Sequence, residues 1–278
     1  MVKKNLPVEK QTSESETPLE QAESGVQQVI TEAKHEVERS RAPWYSSSKR
    51  AYFLIGVYAV LTVLFGLLAW YVRVHPILPV DVAITKEFQE NQAPWLSNSM
   101  AAISYLGYTP ILFTALIVLT AIFFWLVDLR LEAILVVVVS AASELLNGGI
   151  KLLVARPRPS AKLVDVLSHA SGQSFPSGHV MSYVAYFGLL FSLGIILLKR
   201  DRWWHYLILI IPALFVILVG PSRIYLGDHW ASDVLGAYLI GGILLGISLW
   251  IYLKLREKGV LTRKERRGIG KMREHHGS

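Results

Sequence analysis

Histidine, acidic and basic side chains are concentrated at the ends of the last four long apolar stretches of the chain. Several cations, two histidines and two acids that meet at one membrane surface are typical of a pocket that binds an anion and transfers protons. Phosphate is the anion that this set indicates. Taken alone, the cations are also explained as charges that contact lipid headgroups. The set comprises Lys151, Arg156, Arg158, Ser177, His179, Arg223, Asp228, His229 and Asp233.

His229 and Asp233 are four residues apart where the last apolar stretch begins. On a helix they would share a face, so that the carboxylate takes the proton of one imidazole nitrogen and fixes the tautomer. The other nitrogen then carries a free lone pair, which a histidine needs to attack phosphorus, and the acid stabilises the cation that forms. The plainer interpretation is a capping or helix-surface pair.

The tetrapeptide Pro176–His179 stands where another apolar stretch begins. Ser177 is placed to act as the N-cap of a helix whose first backbone N–H groups and dipole face an anion. Gly178 permits close approach, and His179 can donate a proton to a leaving oxygen, a role worth about 10² to 10⁴ in rate. Without the other residues, the tetrapeptide indicates only a helix start.

Six apolar stretches are long enough, or nearly so, to cross a hydrocarbon core as helices, which takes about 20 residues. The fifth is short and contains Pro212, which neighbouring helices accommodate in a membrane bundle. We therefore predict an all-α fold, an integral membrane bundle of six transmembrane helices. The stretches run from Ala51 to Val74, Pro110 to Val127, Leu131 to Val154, His179 to Leu198, Trp204 to Gly220 and Val234 to Leu255.

The composition supports a membrane protein and excludes other classes. Of 278 residues, 53% are hydrophobic and only 18% charged, and a mean hydropathy of +0.41 is too high for an ordinary soluble domain. Because the chain has no cysteine, disulfides, thiolate–metal sites and a cysteine nucleophile are excluded. The net charge of +7 is carried beside apolar stretches and at the C-terminus, which indicates anionic lipid at the membrane surface, and not nucleic acid, as the partner.

The chain is predicted to have three parts: a polar N-terminal tail (1–46), a six-helix membrane domain (47–258) and a basic tail (259–278). No apolar h-region follows Met1, so we expect no cleavable signal peptide. Small apolar residues in the N-terminal tail recur at helical spacing, which permits a short amphipathic helix, with a flexible tail as the alternative. Such a tail could recruit a cytosolic partner.

The distribution of Lys and Arg predicts that both termini are cytoplasmic and that the protein is a multi-pass component of the plasma (inner) membrane. Basic residues precede the first stretch, occupy the second and fourth connections and fill the C-terminal tail, whereas the first connection, His75 to Tyr108, is poor in them. The functional residues then lie at the extracytoplasmic ends of helices 3 to 6. Apolar residues at helical intervals in the first connection could lie on the membrane surface and cover the site.

Three motifs of the chain resemble those of the type-2 phosphatidic acid phosphatase superfamily. They are Lys151, six residues, then Arg158-Pro159; Pro176-Ser177-Gly178-His179; and Ser222-Arg223, five residues, His229, three residues, Asp233. All three match in order and spacing, over about half of the six-helix region. The resemblance implies a six-span helical fold and hydrolysis of a phosphate ester in two steps through a phosphohistidine, without metal or cofactor.

Carried over position by position, the resemblance makes His229 the nucleophile, Asp233 its orienting acid and His179 the general acid. The residues similar to the family's phosphate-binding shell are Lys151, Arg158, Ser177, Gly178 and Arg223. Such cations and backbone donors offset the charge on the equatorial oxygens, so that a divalent metal would be redundant.

Four further residues lie near the motifs without belonging to them. Arg156 precedes a second Arg-Pro pair and is interpreted as a supporting residue or a headgroup contact. Glu144 shares a helical face with Asn147 and Lys151, where it could pair with a cation of the pocket, and the preferred interpretation is a purely structural pair. His169 and Asp228 are interpreted as loop or supporting residues.

The resemblance therefore implies a membrane lipid phosphatase whose substrate keeps its tail in the bilayer and enters sideways between helices. Undecaprenyl pyrophosphate, phosphatidylglycerophosphate and phosphatidic acid remain open as substrates, since the motifs contact only the phosphate. The alternative is a non-catalytic lipid-phosphate binding protein or transporter that uses the same anion pocket. In that case the histidines would be dispensable.

Overall fold

The computed structural model describes residues 48–168, 170–198 and 203–261, with the side chains of 48–51 excluded. The polar N-terminal tail, His169, the basic fourth connection and most of the basic C-terminal tail lie outside the described residues. The contacts within the chain divide it after Gly56, and the helix packing and the site belong to the unit that starts at Val57. All regular structure in the described ranges is helical, in agreement with the all-α prediction.

The helices follow the predicted apolar stretches, with two more in the first connection. In chain order they are α1 (Ser48–Val74), α2 (Pro79–Gln89), α3 (Pro94–Tyr108), α4 (Pro110–Leu126), α5 (Arg130–Val154), α6 (Gly178–Leu197), α7 (Trp203–Tyr225) and α8 (Ala231–Glu257). Helices α2, α3 and α4 each begin at a proline, which is pre-organised for the first helical position and lacks only an N–H that would be unpaired there. Helix α6 contains a π-helical segment, Val184–Gly188.

Within the described residues, five helices are long and apolar enough to cross a membrane, or six if one bent pair of helices counts as a single span. Helices α1, α5, α6, α7 and α8 are each long and apolar enough to cross. Helix α4 has only 17 residues and meets α3 at a bend of 70°. The bend falls at Thr109, because the residue before a proline is disfavoured in the α conformation. The predicted second span is therefore a short helix joined to a bent partner.

Two helix boundaries differ from the sequence prediction, and both differences lie at the functional residues. Helix α7 continues beyond Gly220 to Tyr225, so that Arg223 occupies its last turn. Helix α8 begins at Ala231, which leaves His229 in the turn before it. The expectation that His229 and Asp233 share one helical face was therefore wrong, because only Asp233 is helical.

The interior and the surface have the opposite character to those of a soluble protein. Helix α6 packs against α5, α7 and α8, and its aromatic side chains form a core with Phe113 and Phe215. Large apolar side chains such as Ile111, Leu145 and Leu152 are exposed, whereas charged side chains are buried at one end of the bundle. An apolar exterior with its charges inside is what a lipid environment requires.

Candidate active site

The residues singled out by the motifs come together where four helices end. Lys151 lies in the last turn of α5 and Arg223 in the last turn of α7. Ser177 is the N-cap residue of α6, and Asp233 is in the first turn of α8. Arg158 lies in the segment between α5 and α6, and His229 lies in the segment between α7 and α8. Their side chains contact each other.

The tautomer of His229 follows from its contact with Arg158. His229 is 1% exposed, and its Nε2 lies 3.1 Å from Arg158 Nη1. Since a guanidinium only donates hydrogen bonds, Nε2 accepts and the ring proton is on Nδ1. Nε2 therefore carries the lone pair that a nucleophilic histidine needs.

Asp233 orients His229 through a serine rather than by direct contact. Asp233 Oδ2 lies 3.6 Å from His229 Nδ1, which is beyond hydrogen-bond distance. The Ser174 hydroxyl donates to Asp233 Oδ2 and lies 3.4 Å from His229 Nδ1, and the Ser174 carbonyl accepts a hydrogen bond from the imidazole. No sequence pattern points to Ser174, which lies in a connecting segment outside the three motifs.

The surroundings of His229 keep its imidazole neutral. Burial holds the pKa of His229 well below its usual range, and the positive charges of Arg158, Arg223 and Lys151 lower that pKa further. The neutral imidazole is the form that has a lone pair, so the site maintains His229 as a potential nucleophile.

Arg156 is buried and pairs with two carboxylates, those of Asp233 and Asp81. It is 1% exposed, and its Nη1 and Nη2 lie 2.6 Å from Asp233 Oδ1 and 2.7 Å from Asp81 Oδ2. Its Nε donates to the carbonyl of Pro76, and Nη1 also donates to the Ser232 hydroxyl. Of its two expected roles, the structure therefore gives it the supporting one.

Helix α2 contributes Asp81 to this ion pair. Asp81, Thr85 and Gln89 are all buried and recur at intervals of four residues along α2. These polar residues could have indicated Asp81 from the sequence, since polar side chains at helical spacing on one face of a helix can bind polar groups of a neighbouring element. The first connection thus contributes a buried side chain, Asp81, to the ion pairs behind the site.

Several polar side-chain atoms of the motif residues are buried and have no hydrogen-bond partner among the described residues. They are Ser177 Oγ, His179 Nε2, and Nε and Nη1 of Arg223. Ser177 occupies the N-cap position of α6, as predicted, but its side chain makes no capping hydrogen bond. A buried donor without a partner costs about 1–3 kcal/mol, so four together indicate a place for an anionic ligand.

Asp228 and Tyr108 position the Arg223 guanidinium. Arg223 Nη2 lies 2.6 Å from Asp228 Oδ2, which also accepts hydrogen bonds from the hydroxyls of Tyr108 and Ser168. The Arg223 guanidinium carbon lies 4.6 Å from the centre of the Tyr108 ring. The supporting role expected of Asp228 is thus a specific one, because it holds Arg223 in place.

Close packing at a glycine brings α3 against His179. A Cβ atom at Gly107 would lie 2.0 Å from His179 Cδ2, which is closer than any side chain tolerates. The His179 ring also packs edge-on against Tyr108, with 4.9 Å between the ring centres. At Gly178 an added Cβ would meet Asn147 Oδ1 at 3.3 Å, so this motif glycine also permits close approach.

A cavity of about 510 Å³ opens beside His179, between α4, α5 and α6. Its walls are largely apolar, with Glu144 and Ser182 among the polar residues. The Ser182 hydroxyl donates to Glu144 Oε1, so Glu144 is paired with a serine rather than with a cation of the pocket. Among the residues that the structure describes, no group of three or more His, Asp or Glu side chains is placed to hold a metal ion.

The fold and the site together define a helical bundle of the membrane type with a cationic, histidine-containing site. A family model described as the PAP2 superfamily, the type-2 phosphatidic acid phosphatases, matches residues 132–257. Phosphatidylglycerophosphatase B of Bacillus subtilis (strain 168) is 31% identical over 186 residues, which cover 66% of this chain and 89% of that protein. The chain belongs to the PAP2 superfamily, and the resemblance predicted from the three motifs is confirmed.

Two further similarities agree with this assignment. The crystal structure of the first transmembrane PAP2 type phosphatidylglycerolphosphate phosphatase from Bacillus subtilis has a TM-score of 0.58 and 28% identity, covering 71% of this chain and 96% of that one. Undecaprenyl-diphosphatase BcrC of Bacillus subtilis (strain 168) is 30% identical over 134 residues, 48% of this chain and 63% of that protein. The relatives are named phosphatases, which confirms the predicted enzyme class.

Proposed function

We propose that this chain is a membrane-embedded phosphatase that removes phosphate from a lipid phosphomonoester or diphosphate through a phosphohistidine. The observation that carries the proposal is the arrangement around His229. Its Nε2 bears a lone pair, and unpaired buried donors of Ser177, His179 and Arg223 lie in the same cluster. Lone pair and donors are what the attack on a phosphate needs from the protein.

In the first step His229 Nε2 attacks phosphorus, and the bond from phosphorus to the leaving oxygen breaks. His179 donates a proton to that oxygen as it departs. Lys151, Arg158 and Arg223 offset the charge on the equatorial oxygens together with the Ser177 hydroxyl and the first N–H groups of α6. Arg158 contacts Nε2 in the structure, so its guanidinium lies next to the atom that forms the new bond to phosphorus and can transfer its hydrogen bond to a phosphate oxygen.

In the second step a water molecule attacks the phosphohistidine, and His179 accepts the proton that the water loses. The bond between phosphorus and Nε2 breaks, and inorganic phosphate leaves. Asp233 acts throughout by stabilising the proton on Nδ1 through Ser174. The guanidinium and ammonium groups supply the positive charge of the site, so the reaction is proposed to need no divalent metal.

The substrate is proposed to be a lipid because of the cavity beside His179 and the apolar exterior of the helices. The names of the relatives bring two chemistries to this chain: phosphatidylglycerophosphate, a phosphomonoester, and undecaprenyl pyrophosphate, a diphosphate. Phosphatidic acid is a third. We place the site on the extracytoplasmic face and both termini in the cytoplasm, which the distribution of Lys and Arg supports.

The proposal is tested by phosphate release from the three lipids by the detergent-purified chain in EDTA. We expect release that His229→Ala abolishes and that His75→Ala, a matched change of an exposed histidine, leaves intact. Equal release by His229→Ala and the parent chain would contradict the proposed mechanism. No release from any lipid would favour a binding or transport role.

A further inference from the structure

The cavity beside His179 holds a carboxylate for which the proposed reaction has no role. Glu144 lies in the cavity wall together with Ser140, one turn earlier on the same face of α5, and Ser182 of α6. The remaining walls are mostly apolar and include Phe113, Ile117 and Val137. The Glu144 side chain is exposed at the cavity, and an ionisable residue within a membrane segment indicates a function.

A second observation shows that this polar patch has unused hydrogen-bonding capacity. The Ser140 hydroxyl is buried and has no partner among the described residues. Of the two Glu144 oxygens, Oε1 accepts the Ser182 hydroxyl, and the Ser182 hydroxyl also lies 2.9 Å from the carbonyl of Gly178. The patch therefore offers acceptors, and one free hydroxyl, to a ligand that enters the cavity.

The position of the patch relative to His179 shows which part of a substrate it would contact. Ser182 follows His179 by three residues on α6, which corresponds to about 4.5 Å along the helix. In the proposed reaction His179 protonates the leaving oxygen, so the leaving group lies on its side of the phosphate. The polar patch lies one helical turn further along α6, so it would contact the first two or three atoms of the leaving group beyond the leaving oxygen.

We infer that Glu144, with Ser140 and Ser182, determines specificity for the leaving group, an inference that rests on the proposed function. The patch selects a phosphomonoester whose alcohol carries a hydroxyl group next to the ester carbon, and it disfavours a diphosphate. The hydroxyl donates to the Glu144 carboxylate, which makes a charge-assisted hydrogen bond. The leaving group of a diphosphate is itself an anionic phosphate, which the same carboxylate repels.

The test compares kcat/KM for three substrates that differ at the leaving group. They are phosphatidylglycerophosphate, its analogue with 1,3-propanediol in place of the headgroup glycerol, and a long-chain prenyl diphosphate. The variants are Glu144→Leu, which removes charge and acceptor, and Glu144→Gln, which removes the charge and keeps an acceptor. Glu90→Gln removes the same charge from an exposed position after α2 and is the matched control.

We expect the parent chain and Glu90→Gln to prefer the hydroxyl-bearing lipid over its analogue by roughly tenfold or more, as one hydrogen bond to a charged group allows. Glu144→Leu is expected to abolish this preference. Glu144→Gln is expected to keep part of this preference. It should also raise the relative kcat/KM for the prenyl diphosphate by roughly tenfold, because the neutral amide no longer repels the anionic leaving group. Glu144→Gln is nearly isosteric, so it carries the test if Glu144→Leu does not fold.

Two results would overturn the inference and leave the proposed function intact. One is a parent chain that hydrolyses both glycerol and propanediol lipids equally. The other is a hydroxyl preference that survives in Glu144→Leu together with an unchanged diphosphate ratio in Glu144→Gln. By contrast, a parent chain that hydrolyses none of the three lipids would overturn the proposed function itself.

Discussion

The two sides of the His229 imidazole differ in how completely their polar groups are paired. On the Nδ1 side, Asp233 accepts hydrogen bonds from Ser174, Arg156 and the Trp230 amide, and Arg156 is paired with Asp81 as well. Among the groups proposed to bind the anion, the Ser177 hydroxyl, His179 Nε2, and Nε and Nη1 of Arg223 are buried without partners among the described residues, while Arg223 Nη2 pairs with Asp228. In the proposed reaction, the paired groups hold the nucleophile and the unpaired groups bind the substrate.

This contrast has energetic consequences that can be measured separately. Groups that are fully paired in the folded protein contribute to stability, and removing one partner leaves the other buried and unpaired. Donors without partners contribute little to stability, and their interactions form only when a phosphate binds. Substitutions of the fully paired groups should therefore lower stability, whereas loss of an unpaired donor such as the Ser177 hydroxyl should lower the rate alone.

The largest effect is expected on the paired side, for Arg156→Met. Loss of the guanidinium leaves two buried carboxylates, Asp81 and Asp233, without their counter-ion, which costs about 3–5 kcal/mol of unfolding free energy. Thermal unfolding in detergent measures the loss. The double variant Asp81→Asn/Arg156→Met should regain part of it, because one uncompensated charge is gone. A single variant that melts with the parent chain would show that the ion pair is not a scaffold.

On the anion side, Arg223→Gln is expected to lower kcat by about 10²- to 10³-fold, the usual cost of removing one donor from a developing negative charge. Its unfolding temperature should change less than that of Arg156→Met. Asp228→Asn is the companion variant, since it keeps the hydrogen bonds from Tyr108 and Ser168 while weakening the hold on Arg223. A normal kcat for Arg223→Gln would remove this residue from the phosphate site.

Two buried serines three residues apart differ in whether their hydroxyl groups are paired. Ser177→Ala deletes an unpaired hydroxyl, so we expect unchanged stability and a fall in kcat/KM of roughly tenfold to a hundredfold. Ser174→Ala deletes a hydroxyl that donates to Asp233, so we expect stability to fall by about 1–3 kcal/mol as well. The same loss of stability in both variants would contradict the division into two sides.

The smallest effect concerns pH. Because burial and the surrounding cations hold the pKa of His229 below its usual range, the nucleophilic neutral form persists as the pH falls below about 6.5. Arg158→Gln removes one of those cations and should raise the pKa, which moves the acid limb of the kcat/KM profile to higher pH. Both chains are measured with the same substrate, so that the ionisation of the substrate contributes equally to the two pH profiles. A limb that stays in place would mean that another group controls it.

The sequence was sufficient for the parts of the site that are defined by local motifs. Each of the three motifs combines residue types that are costly near a membrane with spacing that places them at a helix end, so Lys151, Ser177 and Arg223 could be located without a structure. The helical class followed from the length of the apolar stretches. The span count did not, because the break at Thr109 and Pro110 divides the apolar region between two helices.

The residues that only the structure reveals come from segments far apart in the chain. Ser174 bridges His229 and Asp233 from a connecting segment, and Tyr108 reaches Arg223 from the end of α3. Asp81 pairs with Arg156 across 75 positions of sequence. Long-range pairs of this kind leave no local pattern, although the four-residue spacing of the buried polar residues of α2 marks its inner face.

Capture of the covalent intermediate would identify the residue that attacks phosphorus. The chain is mixed with substrate labelled at the phosphorus that leaves as inorganic phosphate, and the reaction is quenched in base within milliseconds. We predict protein-bound phosphate that is stable to base, labile to acid, and located on the peptide that contains His229. Label that survives acid, that maps to another residue, or that forms equally in His229→Ala would contradict the proposed mechanism.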